Sequence, residues 1–500
     1  MSRNIIGKIR IKGDLVALTP ISVGGIGDGE HVDLELAEDG TGRCYVPGTS
    51  LAGPMRAWLM SRLPPDPEAK SDDGPEDHSL IRALFGYVEE KGQKGQASAL
   101  FVYDSPIKDK DVRRERRHGI AINAKTGTVE EGLFYTRALL PKNTRLPLEM
   151  ELDVLEDYGK RFKIEIHGHP AGALARIVKA LQDEDIRFGA CKTRGMGRMK
   201  LEGLELDYYD FTNKDEDALT RWLNDQPSNT HDLGLAALAH FPEPNLNEGR
   251  LFTIAINWLA ASPIMVKAGR DGMETDMMPL MSGSTDGKLS PVIPGSSLKG
   301  ALRSQARKIL NTLFGDPPAP PPSDKDDDEP WPILADLFGS KAQAGRLRID
   351  DLYYERSISD KAWLEEDGAA MDEVTERRQH VAIDRFTGGA SDGALYSARP
   401  VKRGEGWGPI VLGLDASNAV SEGDTRKELA LLRLLIRDME DGYIPIGFGT
   451  RRGLGEIEVE GVAYSEGFPS DAILQPAWDE FVASGGTGFG AVRDEGGERT

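Results

Sequence analysis

Two cysteines in 500 residues, Cys44 and Cys191, are too few for a disulfide framework or a four-ligand zinc knuckle. They leave a reducing, cytoplasmic setting as the expectation. No run approaches the roughly 20 apolar residues of a membrane span. Met1 to Arg10 alternates charged and apolar residues where a signal peptide would carry an apolar core, so a soluble protein without a membrane partner is expected. No dense cluster of His, Cys and acids stands at metal-ligand spacing, which argues against a small-molecule metalloenzyme. No Gly-Lys-Ser/Thr follows either Gly-rich loop, and Gly24-Gly25-Ile26-Gly27 lacks a strand-helix-strand frame, so a nucleotide-hydrolysing motor is unsupported. The length itself predicts two or more domains.

Basic charge is scarce, with 61 Lys and Arg against 82 Asp and Glu and a net charge of −21. Its distribution matters more than its sign. The stretches Asp66 to Asp77, Asp316 to Glu329 and Asp360 to Glu376 carry −5, −5 and −6, and so hold −16 of that total. The first two are rich in Pro, Asp and Ser and read as disordered loop. The remaining framework is close to neutral and keeps basic clusters, such as Arg113, Arg114, Arg116, Arg117 and Lys299, Arg303, Arg307, Lys308.

The most informative feature is internal duplication. IRIKGDLVALTP, ending in Thr19-Pro20, recurs as RLFTIAINWLAASP, ending in Ser262-Pro263. The run from Pro47 to Gly53 (PGTSLAG) recurs from Pro294 to Gly300 (PGSSLKG), and Leu84-Phe85-Gly86 recurs as Leu337-Phe338-Gly339. The segment at Arg117-His118 recurs at Gln379-His380, which pairs the two histidines. FGACKTRGMGRMKLEG from Phe188 recurs as FGTRRGLGEIEVEG from Phe448, with different loop lengths. The chain is therefore expected to be two copies of one domain, 1–240 and 250–465. A linker at 241–249 joins them, an acidic disordered insert interrupts the second at 316–330, and a partly disordered extension follows at 466–500.

Within each copy a period-two strand opens the domain, and PG(T/S)SL supplies a turn and a Ser or Thr N-cap for a helix. In the second copy that helix would place Leu298, Leu302, Ile309, Leu310 and Leu313 near one face. Short strands, a mid-domain hairpin, a second helix, a Gly-rich loop and a last strand complete the copy. The fold class is thus α+β, two tandem ferredoxin-like (RRM-like, split βαβ) domains, each with a β-hairpin and a Gly-rich loop.

The loops from Gly189 to Gly197 and from Gly447 to Gly455 combine glycines with Lys192, Arg194, Arg198 and with Arg451, Arg452. Glycine lets backbone N–H groups approach a phosphate and arginine offers a bidentate fork, while the plainer reading is a turn with solvated charges. The histidines could serve as general acid or base, contact a phosphate, or pack at a hairpin root.

PGSSLKG after the first strand, LFG after the first helix, a hairpin in mid-domain and a terminal Gly-rich loop together resemble the RAMP superfamily. They are most similar to the Csm/Cmr-type backbone subunits of type III CRISPR effectors. The resemblance covers both copies, and two domains in one chain look more like the fused subunits of type III-D systems. It implies a subunit that polymerises along a guide RNA (crRNA), with each hairpin acting as a thumb that displaces a guide–target base pair. The implied partners are crRNA, target RNA and other effector subunits. It also implies cleavage of target RNA by an Asp between the first strand and PGSSL, with Mg²⁺ or another divalent cation. Carried onto this chain, that position falls on Asp33 and Asp276, fourteen residues after Thr19 and Ser262 of the matching Thr-Pro and Ser-Pro, with Asp28, Asp271 and Glu274 as further acids. Expected RNA contacts are Lys192, Arg194, Arg198, Arg451, Arg452, Lys299, Arg303, Ser50, Ser297, His118 and His380. The rival readings are a non-catalytic backbone subunit, a RAMP nuclease that processes the precursor guide through His118 or His380, and a small-molecule enzyme on the same scaffold.

Overall fold

The computed structural model describes residues 4–25, 32–66, 78–88, 95–107, 114–122, 129–156, 158, 168–212, 217–269, 272–315, 329–417, 421–486 and 489. The first half supplies strand β1 (Ile5–Ala17), helix α1 (Gly48–Arg62), β2 (Leu100–Val102), the hairpin β3 (Glu115–Ile122) and β4 (Val129–Leu139), β5 (Arg145–Leu155), α2 (Pro170–Gln182) and β6 (Met199–Asp210). The second half supplies β7 (Leu251–Ala260), α3 (Gly295–Phe314), β8 (Leu347–Ile349), the hairpin β9 (Arg378–Ile383) and β10 (Ala390–Ala398), β11 (Ile410–Asp415), α4 (Glu422–Glu440), β12 (Ile457–Tyr464) and α5 (Asp471–Ala483). The architecture is α+β in both halves, as the patterning predicts.

The sheet of the first half runs β6-β1-β5-β2 and that of the second runs β12-β7-β11-β8, every neighbour antiparallel. Period-two alternation sorts the faces. In β1, Ile9 and Ile11 turn inward onto Leu51, Met55 and Leu59 of α1 and Leu174, Ile177 and Val178 of α2. On the other face of the same strand, Lys8 meets Asp153 at 3.0 Å and Arg10 meets Glu151 at 2.9 Å. The second core repeats this with Ile254, Ile256, Leu412 and Leu414 under Leu298, Leu302, Leu432 and Leu435.

Several expectations need correction. Neither PG(T/S)SL helix is capped by Ser or Thr: the caps are Pro47 and Pro294, without a side-chain cap bond. The first helical N–H groups find carboxylates from the end of the neighbouring strand instead, with Gly48 N donating to Asp104 Oδ1 at 2.7 Å and Gly295 N to Asp351 Oδ1 at 2.9 Å. Along α3 the buried face runs Leu298, Leu302, Ala306, Leu310, an unbroken i, i+4 row, which leaves Leu313 exposed. The acidic stretch 360–376 is folded, with Trp363, Met371 and Val374 buried in a small cluster. Residues 316–328 of the expected insert lie outside the described residues. Glu329 is buried and receives Arg303 and Arg307 at 2.5 Å each. Beyond 465, α5 places Leu474, Trp478 and Phe481 in the second core.

The chain packs as two compact units that do not coincide with its two halves. One contains Met1–Arg114, Ala138–Ala190 and Gly197–Gly249; the other contains Glu115–Arg137, Cys191–Met196 and Arg250–Thr500. The β3–β4 hairpin and the centre of the first Gly-rich loop thus belong to the second unit, whereas 241–249 belongs to the first. No helix among the described residues is long and apolar enough to cross a membrane.

Candidate nucleic-acid interface

Each half carries an aspartate where the hairpin's return strand rejoins the body. Ala138 N donates to Leu34 O, and Arg399 N to Met277 O, both at 3.0 Å. Asp33 and Asp276 immediately precede those acceptors, so the two exposed acids occupy equivalent places. Asp276 is fixed there: Oδ2 accepts from Ser397 N at 2.7 Å and from Ser397 Oγ at 3.0 Å, and its own N–H donates back to Ser397 Oγ at 3.2 Å. The hydrogen bonds from Ser397, helped by the charge of Arg377, hold its carboxyl below the usual range. Among the described residues no donor meets Oδ1.

Glu274, two residues earlier in the chain, is drawn to Arg377, whose Nη2 donates to Glu274 O at 3.0 Å and whose Nη1 lies 3.9 Å from its carboxylate. Glu274 N donates to Glu366 Oε2 at 3.0 Å. Asp28 and Asp271 lie outside the described residues. No group of three His, Cys, Asp or Glu that could hold a metal forms among the described residues. A site with one or two carboxylates still suits Mg²⁺, which keeps waters and completes its shell with substrate phosphate.

The Gly-rich loops match residue for residue, which corrects the expected difference in length. Backbone packing shows the register: a Cβ on Gly189 would lie 2.4 Å from Ser22 O and one on Gly447 2.4 Å from Met265 O. The same holds for Gly197 under Phe188 O and Gly455 under Ile446 O, at 2.0 and 2.2 Å. Arg194 therefore corresponds to Arg452, while Lys192 faces Thr450 in the alignment, Thr193 faces Arg451 and Arg198 faces Glu456. Lys192, Arg194 and Arg451 are exposed. Arg198 donates Nε to Glu184 Oε2 at 2.9 Å. Arg452 sits 4.9 Å from the Phe448 ring centre, with Nη1 donating to Tyr396 Oη at 2.5 Å, so it ties the loop to the β9–β10 hairpin.

The histidine pairing also shifts. Glu115-Arg116-Arg117 and Glu376-Arg377-Arg378 align without a gap, and the third residue of each donates Nε to the first, at 2.6 and 2.5 Å. His118 then corresponds to Gln379, and His380 to Gly119. The rings agree: Tyr135 fills the space a Gly119 side chain would take, and its counterpart Tyr396 stacks on His380 with centroids 5.0 Å apart. Successive strand residues point to opposite faces, so the two histidines are not equivalent. His118 stacks on Phe134 at 5.1 Å, with Nδ1 3.0 Å from Thr136 Oγ1.

On the helices, Ser50 and Ser297 are half-buried in the first turns of α1 and α3. Lys299 is turned inward, donating to Leu347 O at 2.7 Å and Thr193 Oγ1 at 3.2 Å, and is too buried to reach a phosphate. Arg303 is bound to Glu329. Sequence reasoning missed Ser397 and Arg377 beside Asp276. The repeated Glu-Arg-Arg was the available signal for Arg377, and nothing local marked Ser397.

The family model described as the RAMP superfamily matches residues 14–200 and 277–458. Over 88 residues, 17% of the chain, the sequence is 40% identical to a protein of Mycobacterium tuberculosis (strain ATCC 25618 / H37Rv) named CRISPR system Cms endoribonuclease Csm3. The match spans 37% of that protein's length.

Proposed function

The chain belongs to the RAMP superfamily, and from that membership we propose that it is a guide-RNA-binding backbone subunit of a type III CRISPR ribonucleoprotein that cuts the RNA paired to its guide. The observation that carries the reading is the repetition of one constellation: each matched region encloses a hairpin and a Gly-rich loop, and each hairpin root adjoins one aspartate, Asp33 or Asp276. The antiparallel sheets, with the first strand between the last and the third, support a ferredoxin-like platform for RNA.

The hairpins suit a thumb. Ile120, Ile122 and Phe134 on the first, and Val381, Ile383 and Phe386 on the second, are exposed apolar side chains. Groups of this kind wedge between stacked bases and unpair them. A nucleotide turned out at the root would present its 2′-OH and adjoining phosphate to the aspartate. Ser397 orients Asp276 and keeps it ionised. Asp33 and Asp276 would hold Mg²⁺ or a similar cation, which when bound supplies charge stabilisation at the scissile phosphate. The exposed loop cations Lys192, Arg194, Arg451 and Arg452 would contact the guide backbone. Guide processing by a histidine pair is the weaker reading, because His118 and His380 occupy non-equivalent positions.

The test is a product count with the assembled complex and a labelled RNA complementary to the guide. Asp33→Ala should remove one cut and Asp276→Ala another; the double variant should bind target normally and leave it whole, and EDTA should silence both. Cutting by the double variant at the parental rate would reject the aspartates. Loss of neither product in either single variant, with cleavage tracing to another subunit, would leave the non-catalytic backbone reading.

A further inference from the structure

The loop that leads into Asp276 is held from outside itself. Gly272 N donates to Thr275 O at 2.8 Å, which closes residues 272–275 into a turn, and Thr275 is buried. The next two N–H groups leave the turn and go to one side chain: Met273 N donates to Glu366 Oε1, and Glu274 N to Glu366 Oε2 at 3.0 Å. A carboxylate that accepts from two successive N–H groups makes charge-assisted bonds and fixes the backbone in two directions. The fit is close, since a Cβ on Gly272 would lie 2.6 Å from Glu366 Oε1. Arg377 adds a third tie through Glu274 O.

Glu366 reaches the loop from a firm base. It lies between two short helices, Asp360–Leu364 and Gly368–Asp372, in a left-handed conformation with φ 49°, which a residue other than glycine adopts where its surroundings impose it. Trp363 and Met371, one from each helix, are buried in the same apolar cluster as Met278, two residues beyond Asp276. Clamp and aspartate therefore share one support. That support belongs to the longer excursion of the second half: 24 residues, 352–375, separate Asp351 from Glu376, whereas ten, 105–114, separate their counterparts Asp104 and Glu115.

We propose that Glu366 is a positioning residue for the cut served by Asp276. The inference rests on the reading of that aspartate as the acting carboxylate and adds the device that sets where it stands. Ser397 fixes the carboxylate itself, and Glu366 fixes the turn of backbone that leads into it. Cleavage needs 2′-OH, phosphate and carboxylate in line, so play in the loop costs rate and not binding.

The assembled complex supplies its own control, because the cut served by Asp33 reports whether the particle is intact. In single turnover, Glu366→Ala should slow the Asp276 cut about 10- to 100-fold and leave the Asp33 cut and the target Kd at their parental values. Glu366→Gln keeps an acceptor oxygen for one of the two N–H groups and should fall between. Gly272→Ala crowds Oε1 with Glu366 in place and should reproduce the selective loss. Hydrogen exchange on the full-length protein, without metal or RNA, gives a second readout. The Met273 and Glu274 amides should exchange about tenfold faster or more in Glu366→Ala, as loss of a hydrogen bond to a charged group requires, while the β9–β10 hairpin is unchanged. With Asp276→Ala removing its cut, either a parental Asp276 cut or unchanged exchange in Glu366→Ala overturns the positioning role and leaves the aspartate reading standing. Equal slowing of both cuts overturns it too, as general damage. An Asp276→Ala complex that keeps its cut overturns the aspartate reading and the proposal with it.

Discussion

Lys299 shows how far a single position can depart from what its neighbours in sequence suggest. It stands in a basic helix, Lys299, Arg303, Arg307 and Lys308, where solvated charge is the natural expectation. Burial, with the positive charges of Arg194 and Arg303, lowers its pKa to about 7 from the usual 10.5. Between those values the unfolded chain binds the proton and the folded chain does not, so stability rises with pH across that window and is lost as the pH falls toward 7. The limiting slope is about 1.4 kcal/mol per pH unit. Denaturation of the parent and of Lys299→Met at pH 7 to 10 checks it: the difference in unfolding free energy between them should change with pH, with the variant the more stable at pH 7. Burial of this kind was hidden in the sequence, since it depends on Thr193 and Leu347, residues distant in the chain.

At the scale of elements, strands and helices were legible because their apolar periods are strong: Ile9 and Ile11 in β1 and Leu174, Ile177 and Val178 in α2 fall where period two and period 3.6 put them. Register was not. Matching Phe188 to Phe448, and His118 to His380, used identical letters one or two places off, and only backbone packing under Gly189, Gly447, Gly197 and Gly455 fixes the alignment. The Ser caps failed for a similar reason, because the residues that satisfy Gly48 and Gly295 arrive from β2 and β8. The corrected register makes a sharp comparison. Gly453→Ala meets only its left-handed φ of 75° and should cost about 1 kcal/mol, whereas Gly195→Ala, at φ 98° and against Asp351, should cost clearly more in chemical denaturation. The same register names the pair to reverse in an RNA assay. Arg194→Glu with Arg452→Glu should weaken guide binding and make the log Kd against log salt slope shallower by about 1.4, the change for two lost contacts to a single strand. Unchanged slope would free both loops from the phosphate role.

For the molecule as a whole, duplication was readable from five ordered matches, while the interleaving of its units was not, because it rests on which half a hairpin packs against. The second unit contains Glu115–Arg137 and Cys191–Met196 as well as the C-terminal half. A chain divided between Pro244 and Arg250 should accordingly yield fragments that co-purify when expressed together, held by Arg117, Glu115 and Thr193 on Asp351, Ser282 and Lys299. Arg117→Ala with Glu115→Ala should let them part in a pull-down of the tagged C-terminal fragment.

Arg117 and Asp351 are 234 residues apart, and a ribosome makes one long before the other. At roughly 5–20 residues per second, the hairpin emerges about ten to fifty seconds ahead of the strand that receives it. During that interval the nascent chain shows Arg117 without Asp351. Closure of this corner therefore waits on the late part of synthesis, and a pause between the two segments lengthens the time for which the hairpin root stands unseated.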